Sequence, residues 1–246
     1  MRKFVDLHLR PSINDLGHVE KMVKRSYGLG YRSVGIPLPY SIREEKIRQL
    51  RTICENVRID LVTRIDLASK TSGELLRNLR HFRRKFEIIS VTCNSKSVAR
   101  QAAKDRRVDL LSFSLGFPCR RFFDKAEAEL ASKAEGALEI DMASLLFLTG
   151  FPRIRFLSSL RKEVAVAEDF EVPIVISSGA TDARVLRGPY DYAALATLFD
   201  LSMPLGLRGL SENPLSVVDR NRRKLSSGYV APGLFVVRDV KHCLGV

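Results

Sequence analysis

Short runs of apolar, often β-branched residues alternate with segments of helical periodicity along the chain. Seven runs read as strands: Phe4 to Leu9, Ser33 to Ile36, Ile59 to Ile65, Ile88 to Thr92, Leu110 to Phe113, Ala137 to Ile140 and Ile174 to Ser177. Most are nearly continuous in apolar residues, as strands covered on both faces should be, and each runs into polar or Gly/Pro residues where a loop begins. Between them, Leu16, Val19, Met22, Val23 and Tyr27 fall on one helical face, with Gly28 and Gly30 as stop signals. Ser41 with Glu44, and Thr71 with Glu74, match the capping-box pattern that satisfies free N–H groups at a helix start. Each precedes an apolar face: Ile47, Leu50 and Ile53 in one case, Leu75, Leu76, Leu79 and Phe82 in the other. Later faces follow Pro152 (Leu157, Leu160, Val164, Ala167) and Pro189 (Leu195, Leu198, Phe199), prolines being tolerated in a first helical turn.

Strand and helix repeating at this rhythm is the pattern of βαβ units around a parallel sheet. After Ser177 the rhythm changes, because helix starts at Pro189, Pro204 and Pro214 leave no clear eighth strand. The expected fold is therefore α/β and TIM-barrel-like: about seven parallel strands, helices outside, and an all-helical C-terminal closure, with an open doubly wound sheet as the alternative. No low-complexity linker interrupts the 246 residues, so 1–246 reads as one domain. No apolar stretch reaches the roughly 18 residues that cross a bilayer, and no basic amphipathic anchor is present. The expectation is a cytoplasmic protein with no membrane partner. The four cysteines, Cys54, Cys93, Cys119 and Cys243, lie far apart and read as reduced thiols, not a zinc or disulfide framework.

Charge changes this picture. The formal balance is +13, and it is uneven: residues 1–60 carry +5, 61–125 carry +9, 126–215 carry −5 and 216–246 carry +4. A sequence pI near 9.9 is in the range of nucleic-acid-binding domains, and a polyanion would meet one side better than the other. Basic residues recur where strands hand over to loops: Arg10, Arg64, Lys96, Arg100, Arg120 and Arg121. The third helix adds Arg77, Arg80 and Arg84 away from its leucines. A single helical arginine is an ordinary solvated surface residue; the whole set is better explained by phosphate neutralisation, without an aromatic ladder for stacking bases.

Candidate chemistry is sparse. Asp6 and His8 close the first strand, and strand alternation puts both on one face, where they could ligate a metal. Only His18, His81 and His242 remain as further histidines, two in helices and one in the tail, too few to build a binuclear hydrolytic centre. Asp6 and His8 are expected as a hydrogen-bonded pair at the barrel mouth, with no catalytic or metal residue assigned. Ser177, Ser178 and Gly179 leave the seventh strand where barrels often bind phosphate, and could form an anion nest with Arg184 and Arg187 nearby; a plain turn is the other reading. The glycines 28 and 30 lie after a helix and before a strand, the reverse of a dinucleotide loop. No Gly-x-Ser-x-Gly elbow or comparable nucleophile context appears.

Several of these residues carry a resemblance. Phe4-Val5-Asp6-Leu7-His8, Glu139-Ile140, Ser177-Ser178-Gly179-Ala180, Leu186-Arg187-x-Pro189-x-Asp191, Ala194-Leu195, Ser211 with Pro214, and Asn221 follow one another as in archaeal ribonuclease P protein component 3. The chain resembles that family over nearly its whole length, the C-terminal block being the most specific part. The family implies a TIM-like barrel related to polymerase-and-histidinol-phosphatase-type metallohydrolases, with Asp6 and His8 as a vestige. It implies a subunit of the holoenzyme that removes the 5′ leader of precursor tRNA, in which the RNA and its magnesium perform hydrolysis and this chain binds no cofactor. It also implies pairing with ribonuclease P protein component 2, two copies of each forming a heterotetramer, beside other ribonuclease P proteins. Arg187 is carried over by the motif; where the family commonly has a second basic residue, this chain has Tyr190.

Two other functions stay open on sequence. One is a metal-dependent phosphoesterase built on Asp6 and His8. The other is a protein-binding module whose −5 segment, 126–215, docks a basic partner.

Overall fold

The computed structural model describes residues 2–113, 123–231 and 234–235. Strands and helices alternate as β1 (Phe4–Asp6), α1 (Leu16–Gly28), β2 (Tyr31–Pro37), α2 (Glu44–Asn56), β3 (Asp60–Leu67), α3 (Ser72–Phe82), β4 (Ile88–Thr92) and α4 (Lys96–Lys104). There follow β5 (Leu110–Ser112), α5 (Lys125–Ala134), β6 (Ala137–Asp141), α6 (Met142–Phe147), α7 (Gly150–Asp169) and β7 (Ile174–Ser177). The C-terminal part adds α8 (Pro189–Ala196), α9 (Met203–Gly209) and α10 (Glu212–Leu225). Strands β1 to β7 pair in chain order, every pair parallel, which with helices outside makes a nearly closed TIM-barrel-like fold.

Local chemistry sets the helix starts. Thr71 accepts from the Glu74 N–H at 3.2 Å, as its capping pattern predicts. Ser41 caps nothing: a turn bonded from Ile42 N–H to the Pro39 carbonyl displaces the start, and α2 begins at Glu44 behind Arg43. Asp124 caps α5 in a full capping box with Glu127, and Pro189 opens α8 at its first position.

The helices bury their apolar faces in one large cluster outside the sheet. A second cluster joins strand residues Val5, Leu7, Val62, Ile88, Leu110, Ala137 and Val175 to Val217 and Val218 of α10. Strand alternation places those strand side chains inside the barrel, so α10 plugs its N-terminal end. Polar contacts ring the plug. Asn213 donates to the Ile174 carbonyl, Asn221 to the Glu87 carbonyl, Arg220 to Asp109, and Arg222 to Asp60 and Glu87.

The same segment fills the place of an eighth strand. The Val5 N–H donates to the Leu210 carbonyl at 2.9 Å, and Gly209 lies so close to β7 that a Cβ would be 3.1 Å from the Ile174 oxygen. The helical closure expected after Ser177 is present, and a short antiparallel pair that the sequence pattern did not reveal, β8 (Tyr229–Ala231) with β9 (Leu234–Phe235), follows it. At Gly35 on β2 a Cβ would sit 2.5 Å from the Leu7 carbonyl oxygen, so only glycine lets β1 lean this far onto β2. No described helix is long and apolar enough to cross a membrane.

Candidate functional site

Above the apolar layer, alternation carries Arg64, Ser90, Glu139 and Ser177 into the barrel interior, and Asp66 and Asp141 to its mouth. Arg64 is 1% exposed. Its guanidinium grips Glu139 with both terminal nitrogens, one of them at 2.7 Å, reaches Asp66 from Nε at 2.6 Å and donates to the Leu7 carbonyl at 2.9 Å. Ser177 and Ser90 donate to the remaining lone pairs of Glu139 at 2.7 and 3.2 Å. The expectation of Arg64 as a loop residue facing RNA is therefore corrected: it sits one alternation step inside the strand end, where a buried carboxylate needs it.

The His8 ring lies between two carboxylates, Nε2 at 3.3 Å from Asp66 and Nδ1 at 3.3 Å from Asp141. Neither contact has the alignment of a hydrogen bond; they are ion pairs. Burial and the Arg64 charge push the His8 pKa down, but Asp141, Asp66 and Glu139 outweigh them and raise it to about 9. Burial works against ionised Asp66, yet Arg64 and His8 hold that carboxyl well below its usual range. Among the described residues no three His, Cys, Asp or Glu side chains form a metal-binding group.

Asp6 takes no part in this cluster. One of its oxygens accepts from the backbone N–H groups of His8, at 3.1 Å, and of Ser178, at 2.9 Å. The expected Asp6/His8 side-chain pair is thus corrected: Asp6 bridges β1 to the end of β7 where no ladder joins them, while the His8 ring faces the mouth. Burial raises the Asp6 pKa, and the Ser178 and His8 hydrogen bonds offset this in part.

The expected anion nest is corrected by the same contacts. The Ser178 N–H is committed to Asp6, the Ser177 hydroxyl to Glu139, the Ser178 hydroxyl to the His8 carbonyl, and the Ala180 N–H to the Ser178 oxygen. Gly179, at φ +60°, lies against the Asp141 carboxylate. Ser177 and Ser178 are buried, and the anions they serve belong to the protein itself.

The other basic positions divide by partner. Arg100 is pinned between α4 and α5, with Nη2 3.1 Å from Asp124 and Nε 2.8 Å from Glu127, which removes it from the free cations. Lys96 is exposed and 3.5 Å from the same Asp124. Arg10, Arg77, Arg80, Arg84 and Arg187 are exposed without an ion pair among the described residues, and Arg184 is exposed beside Asp182 at 2.9 Å. The Arg187 backbone is held by Tyr31 and Tyr192, whose hydroxyls meet its carbonyl and N–H at 3.2 and 3.3 Å. Tyr190 packs edge-on against Phe4 with ring centroids 5.5 Å apart, an apolar role where the family commonly has a base. Arg120 and Arg121 lie outside the described residues.

The model of the family described as RNase P subunit p30 matches residues 3–226. The chain belongs to the RNase P subunit p30 family. Ribonuclease P protein component 3 of Methanococcoides burtonii is 25% identical over 244 residues, 99% of this chain and 98% of that protein. The protein of the same name from Methanocaldococcus jannaschii is 25% identical over 198 residues, 80% of this chain and 84% of that protein. A chain in the cryo-EM structure of archaeal ribonuclease P with mature tRNA superposes with a TM-score of 0.82 at 22% identity, covering 96% of this chain and 99% of that one. This p30-family member is accordingly a protein subunit of ribonuclease P, the holoenzyme of tRNA 5′ maturation, and not its catalytic part.

The barrel-mouth cluster is what sequence reasoning missed. Arg64 and Glu139 stand inside otherwise apolar strand runs, a position where opposite charges survive only as buried partners, and that signal was available.

Proposed function

We propose that this subunit binds the ribonuclease P RNA through exposed cations and helps it fold, while the RNA with its magnesium ions carries out cleavage of the precursor-tRNA leader. The observation that carries this reading is how the charges are spent. The carboxylates Glu139 in the barrel and Asp66 and Asp141 at its mouth share Arg64 and His8 as partners, whereas Arg10, Arg77, Arg80, Arg84 and Arg187 stay exposed without an ion pair among the described residues. Surface cations in such excess suit a polyphosphate backbone. The test is precursor-tRNA cleavage by the RNA and the partner proteins in a magnesium titration, with and without this chain. Addition of the chain should lower the magnesium required; cleavage by the chain alone, or no shift, overturns the reading.

The protein partner in this reading is ribonuclease P protein component 2, in a heterotetramer of two copies of each, within the cytoplasm. Phe147, Phe151 and Ile154, 59%, 68% and 64% exposed, form an apolar patch around the start of α7 within the −5 segment and favour a protein contact there. Co-purification of the two chains should be lost in Phe151→Glu and kept in Tyr40→Glu, which changes an exposed aromatic on another face; equal retention by both excludes the patch.

A further inference from the structure

The N-terminal end of the barrel, opposite the mouth, carries a hollow of about 560 Å³ beside the C-terminal turn of α10. Arg83 and Arg84 reach it from the end of α3, Arg106 and Arg107 from the turn between α4 and β5, Lys224 from α10, and Tyr229 from β8. Among the described residues no acidic side chain lines it. Arg83 is tied to Asp109 at 2.6 Å and Arg107 to Asp105 at 2.6 Å. Arg84, Arg106 and Lys224 have no carboxylate partner among the described residues, leaving three uncompensated charges around one cavity.

Basic residues at helix C-termini complement the helix dipole, and that accounts for one such residue per helix. It does not account for three separate segments turning their cations toward a shared space. Burial first, then the charge of Arg220, push the Lys224 pKa down, with Glu135 and Asp109 opposing and Arg83 adding to the fall. The mouth of the barrel has the opposite character, with Asp66 and Asp141 partly exposed around His8.

We propose that this hollow at the N-terminal end of the barrel is a phosphate-binding site for the sugar-phosphate backbone of RNA, with Arg84, Arg106 and Lys224 as the contacting cations. This rests on the RNA-binding reading above and locates it away from the loop rim. Backbone phosphates are the fitting occupant, because five of the lining side chains are Arg or Lys. The fixed pairs Arg83–Asp109 and Arg107–Asp105 form the rigid wall against which the three free cations act.

The experiment measures binding of a ribonuclease P RNA transcript to the full chain across a salt series. The triple variant Arg84→Gln/Arg106→Gln/Lys224→Gln should flatten the slope of log affinity against log salt by about 2 to 3, roughly 0.9 per lost phosphate contact. The charge-preserving Arg84→Lys/Arg106→Lys variant should keep the slope within about 1 of the parent value, which a merely structural role would not require. A rim variant, Arg10→Gln/Lys96→Gln/Arg184→Gln, should change it by less than the triple does. A steep parent slope left intact by the triple, or lowered only by the rim variant, overturns the placement while RNA binding itself stands. A parent slope near zero instead defeats the RNA-binding reading. Saturable binding of inorganic phosphate or a mononucleotide that the triple abolishes, with the RNA slope unchanged, overturns the proposal in favour of a small-anion site.

Discussion

Replacing Arg64 by methionine removes a fully buried cation from the barrel interior and leaves its partners in place. The Glu139 side chain is fully buried and would lose its two-pronged partner; the Leu7 carbonyl and Asp66 would each lose a donor. Breaking one side of a buried ion pair costs about 3 to 5 kcal/mol, because the remaining charge stays unpaired out of water. The orphaned carbonyl belongs to the same rearrangement and is not added separately. For a chain of this size about 4 kcal/mol corresponds to a fall in Tm of roughly 8 to 16 °C. Urea unfolding followed by far-ultraviolet circular dichroism should show the loss directly. The double variant Arg64→Met/Glu139→Leu should recover at least half of it, since an apolar pair restores packing without a stranded charge. The slope of RNA affinity against salt should not move in either variant. A Tm change under about 2 °C, or a slope reduced by about 0.9 with stability intact, would mean that Arg64 faces phosphate and that the interior network has been misread.

Other consequences follow from the same contacts. His8, with its pKa raised to about 9, stabilises the fold fully below its unfolded value near 6.5 and loses that contribution as pH rises through 9. Stability measured from pH 6 to 10 should therefore fall over that window and fall less in His8→Gln. Asp6→Ala strips two buried N–H groups of their acceptor and should cost about 2 to 4 kcal/mol, whereas Asp6→Asn keeps a carbonyl acceptor and should cost less than half as much by denaturant titration. Gly35→Ala places a Cβ 2.5 Å from backbone, which no side-chain rotation relieves, and should destabilise by about 1 to 3 kcal/mol or more, read as a lower urea midpoint.

The barrel was legible because its strands announce themselves locally. Runs such as Ile88 to Thr92 and Ile174 to Ser177 are too apolar for anything but a doubly covered sheet, and the prolines at 189, 204 and 214 mark helix starts that forbid an eighth strand. The interior network was harder to see because a residue's role there depends on partners far along the chain: Arg64 and Glu139 are 75 residues apart. A basic residue near a strand end reads as a loop cation until alternation is followed to the end of the strand, and Arg64 lies on the inward phase with Val62 and Asp66. The end of β1 explains the misplaced Asp6/His8 pair. The strand stops at Asp6, so two-residue alternation does not carry through to His8.

Apart from Arg187, the residues that carry the family resemblance hold this barrel together. Asp6 and Ser178 clasp the β1–β7 seam, and Glu139 anchors Arg64. Asp191 holds the Gly188 N–H ahead of α8, and the Ser211 hydroxyl bonds the Leu207 carbonyl where α9 passes into α10. Asn221 seals the plug against Glu87. Asp6 gives the Ser178 N–H at the seam a partner that a neighbouring strand would otherwise supply, and the others pair polar groups in the barrel interior, at its floor and at helix ends. Such positions demand particular side chains at particular places, which makes them recognisable from sequence. Phosphate contacts demand only a positive charge within reach and can be met from many surface positions. The motif thus identifies how this barrel is held together, and the proposed RNA contacts are to be sought in the geometry of its unpaired cations.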